Sequence, residues 1–290
     1  MKIQAMSKVN LALDVLRRRE DGYHEVRMVM QTLQLHDELT LTKREDDRIV
    51  IQCSDSSIEC DESNLIYKAA KLIMETSKVW SGLDIFLIKN IPVAAGMAGG
   101  STDAAATLIA VNELLGLGKT LEELKELGVK IGADVPYCIE GGTQLSEGIG
   151  EKLTKLPSVT DCFVVVLKPH IGVSTKYVYE NLHVDTIEHH PDVDRMLDAI
   201  DEGSIEKIAF SMENILENVT EKKYPVIAAL KNLLKENGAE NAIMSGSGPT
   251  VFGLFLDGKI AQKALEQAMA TGEVSKGFVT TFAKGSGIIV

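Results

Sequence analysis

The sequence predicts an α+β protein of two domains, and three observations carry that expectation. The chain is 290 residues long, 45% hydrophobic and 25% charged, enough apolar material for about two cores and too much for a disordered chain. Segments with apolar residues at every second position alternate with segments where they recur every three or four, the periods of strands and helices. Leu156-Pro157-Ser158 interrupts both patterns. It reads as the linker, so residues 1–157 and 158–290 are the expected domains.

Residues 3–16 read as strand material interrupted at Ser7-Lys8-Val9-Asn10, with Leu11, Leu13 and Val15 alternating against Ala12 and Asp14 and with Lys8 and Asn10 on one face. A charged turn over 17–22 and the triplet Tyr23-His24-Glu25 lead into a second strand over 26–35. Residues 38–42 and 48–53 are expected to form another hairpin about the charged tip 43–47. Asp61-Glu62-Ser63-Asn64 supplies caps for a helix with Ile66, Ala69, Ala70 and Ile73 on one face, and a largely buried strand follows at 83–88. Residues 104–115 form an Ala- and Leu-rich helix stopped by Gly116. Thr120-Leu121-Glu122-Glu123 is a capping box, opening a helix that carries Leu121, Leu124, Leu127 and Ile131 and ends at Gly132. Beyond the linker, 162–167 is a continuous apolar strand closed by Lys168-Pro169. Helices are expected around 192–200, 205–216, 226–236 and 260–269, and strands at 242–244, 251–256 and 278–283. The sequence shows no repeat of fixed period.

The strand at 83–88 passes into the helix at 104–115 through Pro92-Val93-Ala94-Ala95-Gly96-Met97-Ala98-Gly99-Gly100-Ser101-Thr102-Asp103. Glycines there let the backbone approach a bound group, and the unpaired N–H groups and positive dipole end of a helix N-terminus favour an anion. Ser101 and Thr102 add hydroxyls for a phosphate oxygen or a magnesium ion. The same small residues would equally serve a tight, closely packed turn, and the glycines alone do not decide between the two. The stretch is neither a P-loop, since no Gly-Lys-Ser/Thr follows Gly96 at the required spacing, nor a Rossmann fingerprint. Gly132-Ala133-Asp134-Val135-Pro136 puts a carboxylate in a turn. Ser245-Gly246-Ser247-Gly248-Pro249-Thr250 reads locally as a hairpin loop. By local pattern Asp134 is a turn-former, Lys8 an edge-strand charge, and Tyr23-His24 a turn aromatic beside a surface histidine.

A formal charge of −12 and a pI near 5.0 argue against nucleic acid as a partner, because binding a phosphate backbone needs a basic surface. An anionic small ligand must then be held by local groups. The four cysteines, Cys53, Cys60, Cys138 and Cys162, include no Cys-x-x-Cys pair and are expected to be reduced thiols of a cytoplasmic protein. The first residues have no signal-peptide pattern, and no apolar run reaches the roughly 18 to 20 residues of a membrane span.

Taken together, Ser7-Lys8-Val9-Asn10, the stretch 92–103, Gly132-Ala133-Asp134-Val135-Pro136 and residues 244–250 stand in the order and spacing of one enzyme family. Essentially end to end, the chain resembles the galactokinase, homoserine, mevalonate and phosphomevalonate kinase (GHMP kinase) superfamily. The resemblance implies an N-terminal domain like the second domain of ribosomal protein S5, a ferredoxin-like C-terminal domain, and an active site in the cleft between them. The first domain would bind ATP, with Mg2+, and carry catalysis; the second would bind the substrate. ATP would lie along Pro92, Val93, Ala94, Ala95, Gly96, Met97, Ala98, Gly99, Gly100, Ser101 and Thr102, with Asn64, Lys89 and Asn90 on the adenine side. Asp134 would take the proton from a substrate hydroxyl, Lys8 would assist it, and Asn10 would be a polar substrate contact. Phosphoryl transfer accepts such a set, since it needs mainly in-line positioning, charge neutralisation and a group to orient or deprotonate the hydroxyl.

Within the family, Asp21-Gly22-Tyr23-His24-Glu25 and Gly172-Val173-Ser174-Thr175 resemble the branch acting on a cytidine diphosphate ester of a branched polyol. Tyr23, His24 and Tyr179 would then hold the cytosine by stacking and hydrogen bonds, with Thr175 in the substrate site. The implied partners are small molecules only, with no nucleic acid and no membrane, and the implied state is a monomer or weak homodimer. Two other readings stand beside this one. A sister kinase for mevalonate or homoserine would give Tyr23-His24 no base to stack on, and a non-catalytic nucleotide sensor would have no use for Lys8 and Asp134. Where the family usually reads Gly-Leu-Gly-Gly-Gly-Ser-Ser, this chain has Gly96-Met97-Ala98-Gly99-Gly100-Ser101-Thr102. Ala98 replaces a glycine and is expected in an ordinary backbone region, because alanine is strained at positive φ.

Overall fold

The structure is a computed structural model and describes residues 1–159, 162–283, 285 and 287–289. Its first half is built on two long antiparallel strands, β1 (Lys2–Arg18) and β2 (His24–Arg44), paired from Lys2↔Thr40 to Arg18↔His24. The register shifts between Met6 and Lys8, between Asn10 and Ala12, and between Val15 and Arg17. Such bulges re-aim side chains without ending a strand. The broken alternation at residues 7–10 is therefore a bulged strand, not an interruption.

The hairpin expected from 38–42 and 48–53 does not form. β3 (Ile49–Cys53) pairs in parallel with β4 (Gly82–Ile88), and β4 lies between β3 and β2. The helix α1 (Leu65–Ser77) makes the crossover that a parallel pair requires. Period-two patterning reports which face of a strand is buried and says nothing about its neighbour, so the two segments looked adjacent only because they are close in sequence.

The remaining first-half elements are α2 (Gly99–Leu115), α3 (Leu121–Val129), α4 (Val135–Glu140), β5 (Thr143–Gly148) and β6 (Lys152–Lys155). α2 buries Ala104, Ala105, Ala106, Leu108, Ala110 and Val111. A helix apolar on nearly all sides belongs at the centre of a domain, and its alanines let α1 and the sheet approach closely. It begins at Gly99 rather than at 104, which puts Gly99 and Gly100 inside its first turn. Gly116 ends it at φ 66, a left-handed cap that glycine adopts without strain. The capping box Thr120/Glu123 forms in both directions.

The second half contains β7 (Phe163–Pro169), α5 (Thr175–Glu180), a 3-10 turn (Val184–Thr186), α6 (Val193–Glu202), α7 (Ile205–Ser211) and β8 (Glu213–Asn214). It continues through α8 (Glu217–Lys223), α9 (Val226–Glu236), β9 (Asn241–Met244), β10 (Val251–Phe255), α10 (Gly258–Ala270), β11 (Val274–Thr281) and β12 (Ile288–Ile289). The helix expected over 205–216 stops at Ser211, because the next residues leave it to pair with β1. Ala12 and Leu13 face Glu213 and Asn214 in parallel, and farther back Gln4 and Ala5 pair with Ile289 and Ile288. The second half thus completes the outer edge of a strand in the first.

Among the described residues the strands form an eight-stranded and a four-stranded sheet, the latter in the order β11-β7-β10-β9. β7 explains how the two halves fuse. Val165 and Leu167 join a core with Leu230 and Leu234 of α9 and Ala261 and Ala264 of α10. Val164 and Val166 point the other way, into a second core shared with Met196 of α6, Ile208 of α7 and Val9, Leu11 and Val29 of the first sheet. An uninterrupted apolar run is what a strand buried on both faces requires.

The β9–β10 turn does connect a hairpin, but it also folds back onto the loop before α2. Ser245 Oγ donates to the Gly96 carbonyl at 2.9 Å, and a Cβ on Gly96 would lie 2.2 Å from the Ser245 carbonyl oxygen. Gly96 has φ 72, whereas a Cβ on Gly100 would meet no more than Leu65 Cδ1 at 3.4 Å. Gly96→Ala should therefore destabilise the protein by at least about 2 kcal/mol, and Gly100→Ala should change stability by no more than about 1 kcal/mol. Urea denaturation of both variants checks the contrast.

Candidate active site

Lys8 and Asn10 lie two residues apart on β1, between bulges, and so project to the same side. Lys8 is 5% exposed. Its ammonium donates to Asn10 Oδ1 at 2.8 Å and lies 3.7 Å from Asp134 Oδ2. The Asn10 amide in turn reaches Met28 Sδ at 3.2 Å. Asp134 precedes the first turn of α4, where Pro136 is tolerated because early helical N–H groups have no acceptor in their own helix. The Asp134 side chain makes no capping bond, so it is not the turn-former its local sequence suggests. With its side chain 31% exposed, it faces both Lys8 and a cleft of about 900 Å³.

The loop before α2 forms one wall. Ala98 is not in an ordinary backbone region: its φ is 56 and ψ 25. The chain turns there from loop into helix through a left-handed residue, and the Ala98 carbonyl still accepts the first helical bond, from Thr102 N at 2.8 Å. A left-handed alanine costs roughly 1 to 2 kcal/mol. The N–H groups of Gly99, Gly100 and Ser101 precede that bond and have no acceptor within the helix. Gly96, Ala98 and Ser101 line the cleft, whereas Ala95, Met97 and Thr102 are buried. Thr102 therefore does not present its hydroxyl to a ligand. Gly99 is also close to the protein interior: a Cβ there would stand 2.9 Å from Lys89 Nζ.

Asn64, Lys89 and Asn90 are not among the residues lining this cleft. The Asn64 side chain caps α1, accepting from Ile66 N at 2.9 Å and donating to the Glu59 carbonyl at 2.7 Å. The Asn90 amide donates to the His36 carbonyl at 3.0 Å. Lys89, its side chain 3% exposed, is held by the carboxylates of Asp37 and Asp103.

On the far wall, His24 at the start of β2 and Tyr179 in α5 bring their rings to 5.0 Å between centroids, tilted by 40°. Tyr23 sits at the rim, 60% exposed. Thr175 Oγ1 and Ser247 Oγ are 2.8 Å apart, joining α5 to the β9–β10 turn. Burial, assisted by the Arg18 charge, lowers the pKa of the His24 imidazole from its ordinary value, which favours the neutral ring with one donor and one acceptor. Burial, with the Asp134 charge, pushes the Tyr179 phenol up, which keeps it a donor. Arg18, Lys176, Glu180, His183 and Asp185 also line the cleft. They escaped notice because isolated charges around a short helix have no periodic signature. Among the described residues no cluster of three or more His, Cys, Asp or Glu side chains is placed to hold a metal ion.

A buried ammonium beside a carboxylate, facing a helix N-terminus across a cleft, suits phosphoryl transfer. Residues 64–142 match the GHMP kinases N terminal domain, and residues 189–273 match the GHMP kinases C terminal domain, together more than half of the chain. The chain belongs to the GHMP kinases. This GHMP kinase is 47% identical to the 4-diphosphocytidyl-2-C-methyl-D-erythritol kinase of Clostridium perfringens over 97% of each chain. It is 50% identical to that of Acetivibrio thermocellus over 92% of this chain and 94% of the relative. A crystal structure of 4-(cytidine 5'-diphospho)-2C-methyl-D-erythritol kinase superposes with a TM-score of 0.82 at 30% identity, covering 98% of this chain and 100% of that one. The homoserine kinase of Cytophaga hutchinsonii shares the fold, with a TM-score of 0.79 at 21% identity over 100% and 96% of the two chains. This GHMP kinase is an ATP-dependent small-molecule kinase, and among its described residues no helix is long and apolar enough to cross a membrane.

In an NMR titration of the GHMP kinase, the His24 ring should show its midpoint below 6.5. Burial is the larger cause and the Arg18 charge the smaller, so Arg18→Ala should move the midpoint up without returning it to 6.5. A wild-type midpoint at or above 6.5 would contradict the account of the far wall.

Proposed function

We propose that this GHMP kinase transfers the γ-phosphoryl group of ATP to the 2-hydroxyl of 4-diphosphocytidyl-2-C-methyl-D-erythritol, a step of the non-mevalonate (methylerythritol phosphate) route to isoprenoid precursors. The observation that carries this reading is the meeting in one cleft of the Lys8–Asp134 pair and the His24–Tyr179 ring pair. The first is equipment for moving a proton and a phosphoryl group. The second is equipment for a flat, polar-edged base, which a mevalonate or homoserine kinase would not need. The relatives, 4-diphosphocytidyl-2-C-methyl-D-erythritol kinases, support the same substrate.

In this reading ATP lies along the turn before α2, with its phosphates on the N–H groups of Gly99, Gly100 and Ser101 and on the Ser101 hydroxyl. Magnesium bound to those phosphates supplies charge neutralisation. Asp134 accepts the proton of the substrate hydroxyl as the O–P bond forms. Lys8, fixed by Asn10, keeps the carboxylate aimed and offsets charge on the phosphoryl group in flight. The cytosine lies against His24 and Tyr179, with Tyr23 closing over it from the rim. Residues 1–157 then supply the nucleotide side together with Asn10, Tyr23 and His24, and 158–290 close the substrate side with Thr175 and Tyr179, in a cytoplasmic enzyme working as a monomer or weak homodimer.

Asp134→Asn keeps the size of the side chain and removes the base, so kcat should fall by roughly 10² to 10⁴ with the melting temperature nearly unchanged. Lys8→Met should also lower kcat. Tyr179→Ala removes stacking worth about 1 to 3 kcal/mol and should raise KM for the cytidylyl substrate about ten- to hundredfold while KM for ATP stays within about twofold. Steady-state kinetics with ADP release as the readout test all three, and normal kcat in Asp134→Asn would remove it as the base.

A further inference from the structure

We propose that Lys89, clamped between Asp37 and Asp103, is a positioning residue for phosphoryl transfer that sets where the first turn of α2 stands in the cleft, without itself touching the nucleotide. This rests on the reading that ATP phosphates occupy that turn. Three segments meet at the ammonium. Asp37 comes from β2 and its Oδ1 accepts from the backbone N–H groups of Asn90 and Ile91, at 2.6 and 2.8 Å, while its Oδ2 accepts from Lys89 Nζ. Lys89 follows β4, and its backbone N–H is taken by Ser54 Oγ at 2.9 Å. Asp103 lies one turn into α2 and accepts from Lys89 Nζ at 2.7 Å. The start of the loop and the start of the helix are therefore pinned to one point.

The position of that point makes it more than core filling. The ammonium stands 2.9 Å from where a Gly99 Cβ would be, directly beneath the first residue of α2. Any displacement of Lys89 is felt by the N–H groups of Gly99, Gly100 and Ser101. The cluster is also an expensive way to fill space. All three side chains are buried, and Asp103 Oδ1 has no hydrogen-bond partner. Burial pushes the Asp103 carboxyl up to about 8, against the pull of Lys89 and with the push of Asp37. Apolar side chains of similar volume commonly match or exceed the stability of a buried ionic group, so net stability is a weak reason for such a cluster.

The test is Asp103→Leu, which frees the helix from the ammonium, beside the isosteric Asp103→Asn, which keeps an acceptor for it. Calorimetric binding of a non-hydrolysable ATP analogue should weaken at least tenfold in Asp103→Leu and no more than about threefold in Asp103→Asn. KM for the cytidylyl substrate should stay within twofold in both. If Asp103→Leu does not fold, Lys89→Met/Asp103→Leu, which removes the ammonium together with its helix partner and leaves Asp37 on its two N–H groups, is measured in its place with the same expectation. Unchanged analogue affinity in the folded variant, or equal losses for both ligands, would overturn the proposal. Because the analogue is titrated alone, a wrong assignment of the alcohol substrate would leave this result intact.

Discussion

An ammonium buried to the extent of Lys8 needs oxygen atoms around it, since taking an unpaired charge out of water costs several kcal/mol. The fold meets that requirement from two elements, with Asn10 on the same strand and Asp134 ahead of α4. Much of the architecture follows from keeping them there. The bulges flanking Lys8 and Asn10 aim both side chains at the cleft. The Lys8 backbone N–H donates to the Met97 carbonyl at 3.3 Å, tying the turn before α2 to the same residue. Along its outer edge β1 is paired by β8 and β12, so the strand that carries the lysine is fixed on both sides.

A second constraint holds the two halves together. The shared core between the sheets fixes the second half against the first, the Thr175–Ser247 contact ties α5 to the β9–β10 turn, and Gly96 and Ser245 meet backbone to backbone where only a glycine fits. The small residues of the two loops are thus partly explained by packing and partly by the open amides of the helix start. The positions differ in what surrounds them: Gly96 meets the neighbouring loop, Gly99 stands over the lysine beneath it, and Ser101 faces the cleft.

Several helices were legible in the sequence from their caps, although α5, capped by Ser174, was not. Asn64 and Thr120 open α1 and α3 where expected, and Gly116 closes α2. Two of the failures share a cause, since each depended on a strand distant in the chain. The false hairpin at 38–53 missed β4, which arrives from residues 82–88. The overlong helix at 205–216 missed β1 as the strand that captures 213–214. Ala98 looked like a normal residue because sequence shows only what a side chain prefers, and here the demand of the helix start outweighs a penalty of about 1 to 2 kcal/mol. Lys8, Asp134, His24 and Tyr179 were reached through family resemblance, and the structure brings them into one cleft. Lys89 was assigned to the adenine side by the same route, and its burial between two aspartates had no trace in local pattern.

The central claim is that this cleft selects its substrate through the base and phosphorylates an alcohol at the other end. It is tested most directly by ADP release with ATP and either 4-diphosphocytidyl-2-C-methyl-D-erythritol or the same polyol phosphate lacking the cytidylyl group. Rapid turnover of the first and a kcat/KM lower by at least about a hundredfold for the second is the expected result, because a site built for a polar base edge rejects a ligand without it. Equal use of the two would contradict the account, whatever Lys8 and Asp134 do.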